Sequence, residues 1–240
     1  MEKNREKRIC TICARGGSKG LKNKNFKSLA GKPLVAHTIL QAKVCGLADA
    51  VVLSSDSEAI LEVGREWGVD FAVKRPPEMA TDEVSKLPAI RHAVLEVEKI
   101  TGRDYEVVVD LDPTSPLREE EDIRKALQLF EERDVSNLIS ASPSRRSPYF
   151  NLVELSADGF VRLSKPRAFP TIRRQDSPPC FDMNAAIYIW KRRVLFDHPD
   201  VFYDDTALYV MPPERSVDID CELDFQIVEM LMAQRSADVR

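Results

Sequence analysis

Between Ala14 and Asn25 the chain sets three glycines (Gly16, Gly17, Gly20) among four cationic side chains (Arg15, Lys19, Lys22, Lys24). Glycines let successive backbone N–H groups crowd around one anion as a nest, and the cations add charge. A triphosphate suits such a loop. The pattern is not a Walker A loop, because Gly20 is followed by Leu21 rather than by Lys and Ser or Thr. Nor is it the dinucleotide GxGxxG. The competing reading is a basic surface turn, and the position directly after a buried strand argues against it.

Two acidic pairs lie further along. Asp110 and Asp112 are two apart, as are Asp218 and Asp220, so each pair shares a face in extended chain. Turn formation alone would explain Asp112-Pro113. Helix capping would explain Asp220, but it accounts for one carboxylate and not two. Mg²⁺ is usually held by one or two carboxylates together with phosphate oxygens and water. A phosphate loop at one strand end and carboxylates at others therefore describe one expected catalytic cleft. Cys10 and Cys13 form a CxxC, yet residues three apart on a strand point to opposite faces. With His only at 37, 92 and 198 there is no second half to a zinc site.

The elements that must position these groups alternate. Arg8–Ala14, Ala50–Leu53, Val69–Val73, Tyr105–Leu111 and Asn137–Ala141 read as strands. Between them, Val35, Ile39 and Ala42 mark a helix opened by Pro33. Ile60, Val63, Gly64 and Trp67 mark a second, capped by Ser54–Ser57. Leu87, Ile90, Val94 and Val97 mark a third. A fourth carries Ile123, Ala126, Leu127 and Phe130 behind the acidic start Glu119–Asp122, which the macrodipole favours. This rhythm predicts an α/β fold, a three-layer, mostly parallel open sheet with helices on both faces. Ligands then bind beyond the carboxyl ends of strands. From Ser142 to Pro179 the rhythm breaks into prolines, aromatics and arginines, with a hairpin expected around Ala157-Asp158-Gly159. Ala185–Trp190 and Leu208–Met211 resume strand character, and Leu223, Ile227, Met230 and Leu231 describe a last helix.

The chain resembles the CMP-sialic acid synthetases in Ala14–Gly20 with Lys24-Asn25, in Pro113–Arg118, in Asn184–Ile189 and in Asp218-Ile219-Asp220. The likeness runs from about Ile9 to Leu231. Ser147–Glu154 and Asp182-Met183-Asn184 are most similar to the CMP-legionaminic acid synthetases within that family. The resemblance implies a Rossmann-like nucleotidyltransferase fold over residues 1–240, with residues 142–182 as a protruding dimerisation arm of a homodimer. It implies that CTP and a nine-carbon 2-keto sugar acid give a CMP-sugar and pyrophosphate. Arg15, Gly16, Gly17, Ser18, Lys24 and Asn25 would hold the nucleotide and its phosphates, with Arg15, Lys24 and Asp220 catalytic. Arg75, Asp112, Phe150 and Tyr188 would meet substrate, and Asp218 and Asp220 would hold Mg²⁺. One departure stands out: many sialic acid enzymes carry Gln where this chain has Asp112. An unshielded Asp would repel a sugar carboxylate, so either the pocket differs or a metal intervenes. The runner-up readings are a cytidylyltransferase for a 3-deoxy eight-carbon acid and a nucleotide-binding regulatory module without turnover.

Bulk properties narrow the classes. At 240 residues with 43% hydrophobic content, one substantial core is expected. The net charge of −4 is wrong for a general nucleic-acid binder. Only Ser142–Asp182, with seven Lys/Arg against four Asp/Glu, leans the other way. No apolar run approaches the roughly 20 residues of a membrane span. The charged N-terminus has no apolar stretch behind it, so the expected compartment is the cytoplasm.

Overall fold

The computed structural model describes residues 6–17, 20–81, 84–168 and 173–238. Strands form where β-branched and apolar residues run unbroken. β1 (Arg8–Cys13) is buried throughout, as parallel strands covered on both faces are. A small hairpin of β2 (Ser28–Leu29) and β3 (Lys32–Pro33) leads into α1 (Leu34–Cys45), with Pro33 at its N-cap. β4 (Ala50–Ser55), α2 (Glu58–Glu66), β5 (Phe71–Lys74), α3 (Lys86–Thr101), β6 (Val107–Leu111), α4 (Glu120–Arg133) and β7 (Asn137–Pro143) continue the alternation. The hairpin of β8 (Val153–Leu155) and β9 (Val161–Leu163) follows. Then come β10 (Phe181–Lys191), α5 (Arg192–Asp197), β11 (Ala207–Val210) and α6 (Glu222–Asp238).

Seven strands make one sheet in the order β11-β7-β10-β6-β1-β4-β5. β1 is parallel to β4 and β6, β4 to β5, and β7 to β11; only β10 runs antiparallel, against β6 and β7. The mostly parallel sheet with helices on both faces is as expected. Side-chain alternation along β1 shows the layers. Cys10 and Ile12 pack with α1, α2 and α4, while Ile9 and Cys13 pack with α3 and α5. The two cysteines of the CxxC therefore enter opposite cores. Burial raises both thiols, Cys13 to about 12.

Local chemistry sets the boundaries. α4 starts in a capping box: Glu119 caps the backbone and Asp122 returns the bond. The expected side-chain cap on α2 is absent. Ser55 Oγ accepts the Ser57 N–H instead, and Asp56 turns to the loop after β1. β10 carries an irregularity between Met183 and Tyr188, with Ala185 at φ 53°. Asn184 holds it, accepting from Ser140 Oγ at 2.7 Å and donating to Ser216 Oγ at 3.0 Å. The phase of α6 differs from expectation. Phe225 and Val228 are buried with Leu29, Leu34, Leu117 and Ile219, while Leu223 and Met230 are exposed. Among the described residues no helix is long and apolar enough to cross a membrane.

Candidate functional site

α1 and α2 cross over on one face of the sheet, while α3 crosses on the other. Strand order therefore reverses between β1 and β6, and a crevice opens beyond the carboxyl ends at such a point. A cavity of about 330 Å³ lies there. Among the described residues four chain segments line it: Cys13, Arg15, Lys24 and Asn25; then Arg75, Met79, Ala80, Thr81, Val84, Ser85 and Lys86; then Asp112, Pro113 and Thr114; and finally Asp218 and Asp220.

The loop after β1 is shaped by polar ties rather than left as an open nest. Asn25, buried in a short 3₁₀ turn, donates Nδ2 to the Arg15 carbonyl at 2.9 Å. The Gly16 N–H donates to Asp56 Oδ1 at 2.9 Å, so that donor already serves an anion. Lys24 Nζ donates to the Ile219 carbonyl at 2.6 Å and lies 3.3 Å from Asp220 Oδ1. Its side chain is only 12% exposed. Arg75 is buried, with Nη2 on the Ser54 carbonyl at 2.8 Å. That contact pins the guanidinium at the end of β4.

The carboxylate side is more organised than its spacing announced. Asp110 is fully buried on the α3 face of β6, where Thr11 of β1 donates to its Oδ1 at 2.7 Å. Lys86, the first residue of α3, reaches over both members of the pair. Its Nζ is 2.6 Å from Asp110 Oδ2 and 2.8 Å from Asp112 Oδ2. Asp112 Oδ1 accepts the Thr114 N–H at 3.0 Å and Thr114 Oγ1 at 2.7 Å. Burial would lower the Lys86 pKa, but Asp110 and Asp112 outweigh it and hold the ammonium charged. Burial likewise pushes Asp112 up, and Lys86 wins and holds it below the usual range. For Asp110 burial wins and its pKa rises.

Asp218 is pushed up to about 6, first by burial and then by the charge of Asp112, with Asp220 adding. Its Oδ1 is buried and has no hydrogen-bond partner. Asp220 is exposed. The helix-capping role considered for Asp220 belongs to Asp224, which accepts the N–H groups of Asp220 and Cys221. A buried, unpartnered carboxylate oxygen beside a second carboxylate suits a divalent cation. Among the described residues no group of three His, Cys, Asp or Glu forms a ready-made cage. The fit is to a cation that brings further oxygen ligands with it.

Of the site residues expected from sequence, Arg15, Lys24, Asn25, Arg75, Asp112, Asp218 and Asp220 line the one cavity. Gly16 and Gly17 shape the loop without lining it, and Ser18 lies outside the described residues. Tyr188 stands beside Asp110 in the sheet register and stacks on Trp190 at 5.4 Å, behind the lining. Phe150 lies in the turn between β7 and β8 and does not line the cavity. Lys86 and Thr114 were not expected. The signal for Lys86 was a cation at a helix N-terminus, where the macrodipole disfavours it without an anion at hand. Arg118 is a positioning residue. Its buried guanidinium donates to the Ala186 carbonyl at 2.5 Å and to Gln41 Oε1 at 2.8 Å, fixing the Pro113–Arg118 loop against α1 and β10.

The cytidylyltransferase family model matches residues 9–228. The CMP-N,N'-diacetyllegionaminic acid synthase of Campylobacter jejuni is 45% identical over 228 residues, covering 95% of this chain and 96% of that protein. The post-translational flagellin modification protein B of Campylobacter coli is 42% identical over 232 residues, 97% of each. A solved CMP:2-keto-3-deoxy-manno-octonic acid synthetase complexed with CTP superposes with a TM-score of 0.70 at 16% identity, covering 95% of this chain and 99% of that one. That likeness concerns the fold.

Proposed function

The chain belongs to the cytidylyltransferase family, and from that premise we propose that it joins CTP to a nine-carbon 2-keto sugar acid of the legionaminic or sialic type. The products are the CMP-sugar and pyrophosphate. The carrying observation is the convergence of Arg15, Lys24 and Arg75 with Asp218 and Asp220 in one cavity at the β1/β6 switch. The cations suit a triphosphate. The carboxylates suit Mg²⁺ held jointly with phosphate oxygens, which would neutralise charge that builds on the phosphates.

In this reading the sugar's anomeric oxygen forms a bond to the α-phosphorus and its proton is released to solvent, while the bond from the α-phosphorus to the oxygen bridging to the β-phosphate breaks and pyrophosphate leaves. No covalent enzyme intermediate is required, so the buried cysteines have no part. Arg15, Arg75 and Lys24 bind and orient the phosphates, and Asp218 and Asp220 would hold the metal. The work is positioning and charge neutralisation.

Two finer points belong to the same reading. The exposed apolar residues of residues 142–182, including Leu155 and Phe160, support an arm that pairs two copies as a homodimer and brings Phe150 to the partner's sugar site. A CTP-dependent synthesis of this kind belongs in the cytoplasm. The sugar is N,N'-diacetyllegionaminic acid, supported by the relative from Campylobacter jejuni and by Asp112 in place of Gln.

Pyrophosphate release from CTP and Mg²⁺ across several eight- and nine-carbon sugar acids tests the reading. Legionaminic acid should exceed N-acetylneuraminic acid in kcat/KM by at least roughly tenfold, or about 1.4 kcal/mol. Turnover with none of them would leave a nucleotide-binding module.

A further inference from the structure

Lys86 lines the cavity, and its ammonium sits between the two carboxylates of β6 and its extension. Its ammonium donates to Asp112 Oδ2 at 2.8 Å and stands 2.6 Å from Asp110 Oδ2 as an ion pair outside hydrogen-bond geometry. With these two contacts made, a third donor is left for the cavity that Lys86 lines, where the side chain is 28% exposed. Three oxygens of the pair accept hydrogen bonds within the protein, and Asp110 Oδ2 meets only the Lys86 charge. Thr11 holds the second oxygen of Asp110, and Thr114 holds that of Asp112. Both oxygens of Asp112 therefore already accept protein donors, and the residue faces the cavity as an internally paired carboxylate.

The phosphate cations are separate. Arg15, Lys24 and Arg75 come from the loop after β1 and the end of β5. The Lys86–Asp112 unit stands on the segments that follow β6 and open α3. An acidic sugar entering there would meet Asp112, with the buried Asp110 behind it. Without Lys86 it would face two negative charges in a poorly solvated corner. With Lys86 it meets a paired carboxylate and an ammonium that lines the cavity.

We propose that Lys86 is a sugar-recognition residue of this reaction: it is the counter-ion that lets Asp112 face an acidic sugar, and its remaining N–H receives the sugar's carboxylate. This rests on the reading of the protein as a sugar-acid cytidylyltransferase. The same pair distinguishes this pocket from one with a neutral amide at position 112, where no counter-ion is needed. Specificity follows from the match between the two positions rather than from either alone.

Steady-state kinetics with CTP and N,N'-diacetyllegionaminic acid test the proposal on the full-length protein. Lys86→Met should raise the KM for the sugar acid at least about tenfold while the KM for CTP stays within about twofold. Asp112→Asn added to Lys86→Met should recover part of that loss, because the unpaired carboxylate is gone, but not all of it, because the third donor is also gone. Should Lys86→Met fold poorly with Asp110 left unpaired, Lys86→Met with Asp110→Asn carries the same comparison. A rise in both KM values together, an unchanged sugar KM, or no recovery from Asp112→Asn would each overturn the assignment. A wild-type protein that turns over no sugar acid would remove the functional reading and this inference with it. A wild type that turns over, with Lys86→Met unchanged, removes this inference alone.

Discussion

Gly20 approaches Asp220 so closely that a Cβ built on it would lie 2.2 Å from the Asp220 carbonyl oxygen. The contact is backbone against side-chain position, so nothing flexible can yield. It joins the loop after β1 to the segment before α6, the two pieces of chain that carry the phosphate cations and the candidate metal carboxylates. Gly20→Ala should therefore push these segments apart. We expect a loss of at least about tenfold in kcat, the scale of a small misplacement of reacting groups. Wild-type kcat in a folded Gly20→Ala protein would show that the approach has no bearing on the site.

Lys24 bridges the same two segments from the side-chain direction. A largely buried charged donor on the Ile219 carbonyl should contribute about 1.5–3 kcal/mol. This geometry gives Lys24 a structural tie beside the phosphate contact proposed for it. Lys24→Met keeps the aliphatic stem and should lower both thermal stability and CTP turnover. Calorimetry beside kinetics separates the two. An unchanged melting temperature would return Lys24 to a role in ligand binding alone.

Much of the site was legible because its groups sit at strand ends, and the strands were plain. The runs ending at Cys13 and Leu111 are buried β-branched segments with Arg15 and Asp112 directly behind them. Lys86 was hidden because its partners are 24 and 26 residues away, and only the β5–α3–β6 crossover brings them to it. The nest reading of Gly16 failed to foresee Asp56, 40 residues on. On α6, apolar residues at 223, 225, 227, 228, 230, 231 and 232 nearly encircle the helix. Period alone does not choose a face there. Leu29 and Ile219 choose it, by packing on Phe225 and Val228.

Asp220 is a clean test of the metal reading, since it is exposed and little of the fold leans on it. Asp220→Ala should reduce kcat about 10²-fold and leave the melting temperature nearly unchanged, because the Asp220 carboxylate is in solvent and Lys24 keeps the Ile219 carbonyl without it. Near-normal kcat at saturating Mg²⁺ would mean that Asp220 does not hold the metal.

Thiol accessibility checks the reading of the CxxC. Cys10, Cys13 and Cys45 are buried with raised pKa values, whereas Cys221 is exposed. Reactivity follows the thiolate and its access. Alkylation of the native protein, read by mass spectrometry, should label Cys221 and spare the other three until the chain is unfolded. Native labelling of Cys10 or Cys13 would reopen a redox role for the pair.

The hairpin of β8 and β9 is the part of the fold least able to stand alone. A two-stranded hairpin is marginal in water without a third strand or a packed face. Here all three residues of β8 are exposed, and Leu155 and Phe160 are 74% and 68% exposed. Leu152, Phe181 and Met183 are exposed as well, and exposed apolar residues concentrated in one segment point to an interaction surface. A second copy of the chain is the occupant in the homodimer proposed above. Burying one Leu contributes about 1.5–3 kcal/mol, and a two-fold interface counts each substitution twice. Leu155→Glu should therefore raise the dimer dissociation constant at least about a hundredfold. Sedimentation at micromolar protein should show a wild-type dimer and a monomeric variant. The variant should retain CTP binding, because its own cavity is untouched, and lose sugar-acid turnover, because the partner's arm is missing. A wild-type monomer with full activity would overturn the arm's role, and a dimeric Leu155→Glu protein would move the interface elsewhere.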